Sequence, residues 1–170
     1  MLHSATNDRR YAPHCMTATA DSWNHLPEPA EREPLHFEAH FTAAEFEKLR
    51  LGLVPRQMED KWFIYFAEGW LRFHRSWTGI HIFGLRLEAS PTGVRVTDSW
   101  VNRNMEQYRG QDVAYEQKLV RFLIDALLLA KRDTQFPVPT NLPAAPAGLY
   151  QHSVVGRSYP EKLTGDKAMP

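Results

Sequence analysis

KWFIYFAEGWLRFHRSWTGIHIFGLRLEASPTGVRVTDSWVNR, residues 61–103, decides the fold. Four runs rich in aromatic and β-branched residues, 61–66, 70–76, 80–88 and 94–101, are separated by short turn signals, which predicts a four-stranded antiparallel meander. Glu68-Gly69 and Trp77-Thr78-Gly79 supply two turns. Ser90-Pro91-Thr92-Gly93 supplies the third, with Pro and Gly where a type I turn favours them. Trp62, Trp70, Trp77 and Trp100 lie in this stretch, as do His74 and His81.

Upstream, Leu35, Phe37, Ala39 and Phe41 alternate with His36, Glu38 and His40. That period of two predicts a strand over 35–41. Two histidines four apart on the same side of a strand can share a metal, but beside Glu38 on a solvent side they read as polar decoration. Thr42-Ala43-Ala44-Glu45 is a capping box, with Phe41 and Phe46 at hydrophobic-staple spacing, so a helix starts at Ala43. Gly52 is a suitable stop, with Pro55 just beyond. Downstream, 102–111 is a polar loop and Asp112 is an N-cap for a second helix over 113–132. Its apolar positions from Leu119 to Leu129 make a broad stripe that lies across the sheet. Lys131 and Arg132 complement the macrodipole at its end.

Strand, helix, four-stranded meander and helix in that order define an α+β domain, β-α-β-β-β-β-α, over 35–137. A curved antiparallel sheet carries both helices on one face. The order resembles the TATA-binding-protein-like and helix-grip arrangements, an analogy of fold that confers no function. Leu71, Phe73, Phe83, Leu85, Leu87, Val94 and Val96 are the expected helix-facing set. Alternation sends Arg72, His74, Ser76, Arg86, Arg95, Thr97 and Ser99 to an open face, with Gly84 leaving a gap among them.

The flanks read differently. Residues 1–34 are rich in Pro, Asn, Asp, Ser, Thr and Ala and read as a disordered extension, and 138–170 read as an extended strap or tail. Met16 is an alternative start. The chain has 170 residues with 20 basic and 20 acidic side chains, enough for one domain and without the basic excess of a duplex-binding protein. One cysteine excludes an internal disulfide. His14-Cys15 lacks a second pair at ligand spacing, so no metal is expected. No apolar run approaches the roughly 20 residues of a membrane span, and no signal peptide is visible. A cytoplasmic location is the expectation.

HRSWTG, residues 74–79, is the densest cluster of functional groups. Arginine suits planar anions, His74 can act as acid, base or donor, and Trp77 can stack on a ring. Against this, Arg75 faces inward and can pair with Asp98, Trp77 can cover the sheet's end, and Thr78 and Gly79 serve the turn. A His74–Ser76 nucleophilic pair lacks an orienting acid on its face, since alternation puts Asp98 opposite. No P-loop, GxGxxG or CxxC is present, so no cofactor is expected. Residues 61–103 carry six basic and three acidic side chains, an excess of three, too small to signal single-stranded nucleic acid.

MEDKWFIYFAEGWLRFHRSWTGIHIF, followed by VTDSWVNRN and FLIDALLL, resembles a family of short bacterial proteins sharing a KWFIY…HRSWTG pattern. The resemblance covers roughly residues 37–137. The family has no established activity, so the resemblance supplies no functional residue. The expectation is a small binding or interaction module for a small anionic ligand or a protein partner, using a basic and aromatic sheet face. Its candidate ligand-binding residues are Lys61, Arg72, His74, Arg75, Ser76, Trp77 and Arg86. The alternative is a small enzyme or sensor for a phosphorylated or nucleotide-like ligand, with His74 as acid-base and an arginine as anion clamp. A homodimer with a purely structural role is the third reading.

Overall fold

The computed structural model describes residues 16–139 and 154–156. Their architecture is α+β, with a curved, open antiparallel sheet of six strands and two helices on one face. The strands are β1 (Arg32–Pro34), β2 (His40–Thr42), β3 (Trp62–Ala67), β4 (Trp70–Arg75), β5 (His81–Ser90) and β6 (Gly93–Asn102). The helices are α1 (Ala43–Leu51) and α2 (Val113–Phe122). Across the sheet the order is β1-β6-β5-β4-β3, and β2 follows β1 along the same outer edge of β6.

The single strand expected over 35–41 keeps its alternation but not its ladder. Leu35, Phe37 and Phe41 are buried while His36, Glu38 and His40 are exposed. His36 sits at φ 52, outside the β region, so regular pairing breaks into β1 and β2. Isolated bonds bridge the gap: the Leu35 amide donates to Ser99 O, and the Val96 amide donates to Ala39 O. Thr42 caps α1 as expected. Its hydroxyl accepts from the Glu45 amide, the Glu45 carboxylate accepts from the Thr42 amide, and Gly52 closes the helix at φ 66. Glu68 and Gly69 both have positive φ, the condition of a two-residue type I′ hairpin.

The helix-facing core joins Ile64, Leu71, Phe73, Phe83, Leu85, Leu87, Val94 and Val101 to Leu49 of α1 and Leu119, Val120 and Phe122 of α2. The second helix differs from the expectation at its end. After Phe122 it widens into a π-helical turn, Leu123–Leu128, whose Leu129 amide donates to Ile124 O. The wider turn lets Leu123, Ile124, Leu128 and Leu129 all reach the core. Lys131 and Arg132 therefore lie beyond the helix, and the Lys131 ammonium bonds the side chains of Asp125 and Glu45 instead.

Two bulges redistribute the faces. Phe73 pairs with Phe83 while His74 pairs with His81, so Ile82 is an extra residue on β5. Arg86 pairs with Asp98 while Leu87 pairs with Val96, so Thr97 is an extra residue on β6. Each bulge inverts the alternation on one side of it. Ser99 was expected on the open face; it lies opposite Leu85, buried on the helix side, and its hydroxyl accepts from the Phe37 amide. Asp98, expected on the helix side, lies opposite Arg86 and is exposed. The Arg75–Asp98 pair is thereby ruled out by geometry. Arg75 donates to Val154 O at 2.7 Å, and its guanidinium lies over the Trp62 ring.

Residues 16–34 do not behave as a disordered extension. They form a strap across the second face of the sheet, with a 3-10 turn at Ala20–Ser22. The Ala18 amide donates to Leu51 O, the Leu26 amide to Gly79 O, and the Trp23 indole to Ser76 O. Ala18 packs with Phe63 and Tyr65 in a second small core. Residues 1–15 of the expected extension, with His14 and Cys15, lie outside the described residues. So does the expected tail over 138–170, apart from 138–139 and 154–156; Val155 of that segment is buried in the main core. Among the described residues no helix is long and apolar enough to cross a membrane.

Candidate ligand-binding cleft

A row of rings crosses the second face of the sheet. Tyr65 of β3 stacks on His74 of β4 at 5.6 Å between centroids, His74 stacks on His81 of β5 at 4.1 Å, and His81 meets the Trp100 edge of β6 at 4.6 Å. His25 of the strap closes the row from above, touching Phe63, Tyr65 and His74. The bulge at Ile82 makes this row possible, because strict alternation from Phe83 would turn His81 toward the helices. Gly84 completes it. The Trp100 ring lies over its Cα, and a Cβ there would stand 2.4 Å from Trp100 Cε2. The gap expected at Gly84 is filled by indole.

Between strap and sheet lies a cleft of about 500 Å³. His25, Leu26, Pro27 and Glu28 line one side, and Tyr65, Arg72, His74 and His81 the other. His74 is 1% exposed. Its Nδ1 lies 3.0 Å from Gly79 O, which can only accept, so Nδ1 carries the proton and Nε2 presents a lone pair. That Nε2 is buried and has no hydrogen-bond partner among the described residues. The Trp100 Nε1–H is in the same condition. Burial, helped by nearby Arg72 and His25, pushes the His74 imidazole down to about 4. Burial, with His74 beside it, pushes His81 down to about 2. Burial raises the Tyr65 phenol.

The remaining expected site residues divide. Arg72 lines the cleft at 13% side-chain exposure, ion-paired with Glu28 of the strap and, at 3.5 Å, with Glu68. Ser76 is buried and donates to Asp60 O at 2.6 Å. Trp77 is 64% exposed, donates to Met58 O and lies beneath the Lys61 ammonium. Arg75 is on the helix side, and Arg86 lies over Trp70 and pairs with Glu88. So only Arg72 and His74 of the expected set meet in the cleft. Arg75, Ser76 and Trp77 build the corner at the end of β4, where each donates a hydrogen bond to a backbone carbonyl.

Sequence reasoning missed Tyr65, His81, His25 and Glu28. Tyr65 was on the correct strand but unassigned. His81 depended on a bulge that no local signal announces. His25 and Glu28 were hidden in a Pro-rich segment whose composition matches a linker. A larger groove of about 920 Å³ runs along α2, and several of its polar side chains are engaged. There Gln117 donates to Leu35 O and His36 O, and Arg121 lies over Phe37. The exposed His40 ring contacts the Ser90 and Thr92 hydroxyls.

Comparison of the chain with protein-family models, with curated proteins and with solved structures finds no match. The functional reading therefore rests on the geometry of the cleft.

Proposed function

We propose that this protein is a small ligand-binding module and that the ligand occupies the cleft between strap and sheet. One observation carries the reading: His74, whose buried Nε2 acceptor has no partner among the described residues, lines a cleft large enough for a small molecule. A buried polar atom left unpaired costs about 1–3 kcal/mol, and a ligand hydroxyl or N–H there removes that penalty. Rings of His25, Tyr65, His74 and His81 line the cleft, and Glu28, Glu68 and Arg72 supply charged groups that can fix a ligand's orientation.

The enzymatic alternative, with His74 as acid-base, has less support. An imidazole held near 4 is a weak base at neutral pH, and its other nitrogen is committed to Gly79 O. A nucleic-acid reading also has little support, because three arginines of the sheet are ion-paired within the chain: Arg32 and Arg72 with Glu28, and Arg86 with Glu88.

Native mass spectrometry of the purified full-length protein tests the reading. The expected result is a bound small molecule that leaves on denaturation and is absent from His74→Phe, which keeps a ring in the row but removes Nε2. A wild-type protein that carries no adduct, and whose cleft resonances do not move in an NMR screen of small polar fragments, would sink it.

A further inference from the structure

We infer that the ligand of this cleft is a flat ring bearing an oxyanion, and that Glu28 of the strap occupies the oxyanion seat at Arg72 until the ligand displaces it. The inference rests on the cleft being the ligand site. It adds the ligand's chemical class and a device controlling access.

Among the described residues Arg72 is the one arginine lining the cleft. Its fork is suited to a carboxylate or phosphate, and in this structure the anion it holds comes from the chain itself. Glu28 is the close partner, whereas Glu68 reaches it only at 3.5 Å from a side chain that is 86% exposed. The strap is pinned on either side of Glu28, at Leu26 by Gly79 O and at Glu31, whose carbonyl accepts from the Arg103 amide. Among the described residues, 27–30 share no backbone hydrogen bond with the sheet. Pro27 and Pro29 flank Glu28 and fix the backbone there, so the arm presents its carboxylate with little freedom. Glu28 also has a second seat. Arg32 holds its other oxygen at 2.9 Å, so a displaced Glu28 keeps a cation and is not stranded.

The rest of the ligand follows from the walls. His25 and Tyr65 line the cleft with rings, which favour a flat ring. His74 Nε2 is buried and unpaired among the described residues, and a small shift of the strap lets a hydroxyl or N–H on that ring reach it. A hydroxylated aromatic carboxylate and an aryl phosphate share this chemistry, and both are small enough for the space.

The test is calorimetric titration of the full-length protein with 4-hydroxybenzoate and, separately, phenyl phosphate. Removing the competing carboxylate in Glu28→Gln is expected to tighten binding of at least one probe by about tenfold, within the usual range of a coupled site. The preferred probe distinguishes carboxylate from phosphate. In the Arg72→Gln background the same Glu28→Gln change is expected to add nothing, because the two residues act on one seat. Glu28→Asp, which keeps the charge on a shorter arm, is expected to fall between wild type and Glu28→Gln, and thermal melts confirm that each variant is folded. Unchanged or weaker binding in Glu28→Gln, or a gain that persists without Arg72, overturns the inference. So does failure of both probes to bind any variant at millimolar concentration. In each case the ligand-binding reading itself is still decided by the native mass spectrum.

Discussion

Acidification should unfold this protein through the stacked histidines at the centre of the ring row. His74 and His81 are neutral in the fold, held down to about 4 and about 2 by burial. In the unfolded chain both titrate near the ordinary 6.5. Between those values the unfolded state binds more protons than the folded one, so stability rises with pH there. The histidine contribution is complete above about pH 7 and is lost as pH falls below 6.5. Down to about pH 4.5 each histidine withdraws roughly 2.5 kcal/mol, about 5 kcal/mol together, at about 1.4 kcal/mol per pH unit for each site. That is a large part of the roughly 5–15 kcal/mol that holds a typical domain together. The two cannot share the load, because their rings lie 4.1 Å apart and a charge on one opposes a charge on the other. Urea denaturation from pH 7.5 to 4.5 measures the slope, and histidine-selective nitrogen NMR reads the protonation state directly. A denaturation midpoint flat over that range, or an imidazolium signal from His74 at pH 6, would refute the argument.

Other perturbations act elsewhere. Glu116 is fully buried and grips Arg103 with both oxygens at 2.7–2.8 Å. Glu116→Gln leaves a mostly buried guanidinium short of its main partner, an expected loss of about 3 kcal/mol, seen as a melting point roughly 6–12 °C lower; a shift under about 2 °C would mean the pair is screened like a surface one. Gly84→Ala drives a methyl into the Trp100 ring and is expected to lower stability by about 1–3 kcal/mol, with a change in near-ultraviolet circular dichroism that an unmoved indole would not give. Thr42→Ala removes the α1 cap and is expected to cost about 0.5–2 kcal/mol in a denaturant titration; an unchanged midpoint would contradict the capping box. A chain beginning at Leu35 lacks the strap over Phe63, Tyr65 and His74 and is expected to bind the apolar dye ANS and lose cooperative melting, whereas a sharp transition near the full-length one would show the strap to be dispensable.

The meander, both helix starts and the helix-facing set of side chains were legible because each rests on a local rule. Thr42 and Glu45 satisfy each other within one turn, Glu68-Gly69 supplies two positive φ angles, and Leu71, Phe73, Phe83 and Leu85 alternate without interruption. The site was half legible. Arg72 and His74 were placed on the correct face, but that face was taken to be open. Its cover comes from Trp23, His25 and Glu28, which carry little apolar periodicity and dock on residues far along the chain, as the indole bond to Ser76 O shows. The positions of His81, Asp98 and Ser99 were not legible, because the extra residues Ile82 and Thr97 look like any other strand residue. A bulge is chosen by what the whole sheet can bury, and no dipeptide encodes it.

The long-range closure of the sheet has a kinetic consequence. Glu33 and Arg103 are ion-paired across β1 and β6 although 70 residues apart in sequence, while β3 to β6 are joined by hairpins of a few residues. Loop-closure entropy favours the hairpins first. The strap precedes in sequence the strands it seals and is expected to dock after them. Pulse-labelled hydrogen exchange during refolding should protect the amides of Phe73 and Leu85 before those of Leu35 and Phe37. During that interval β6 is an uncovered edge strand, the kind of surface on which folding chains aggregate, so the yield of refolding is expected to fall with protein concentration.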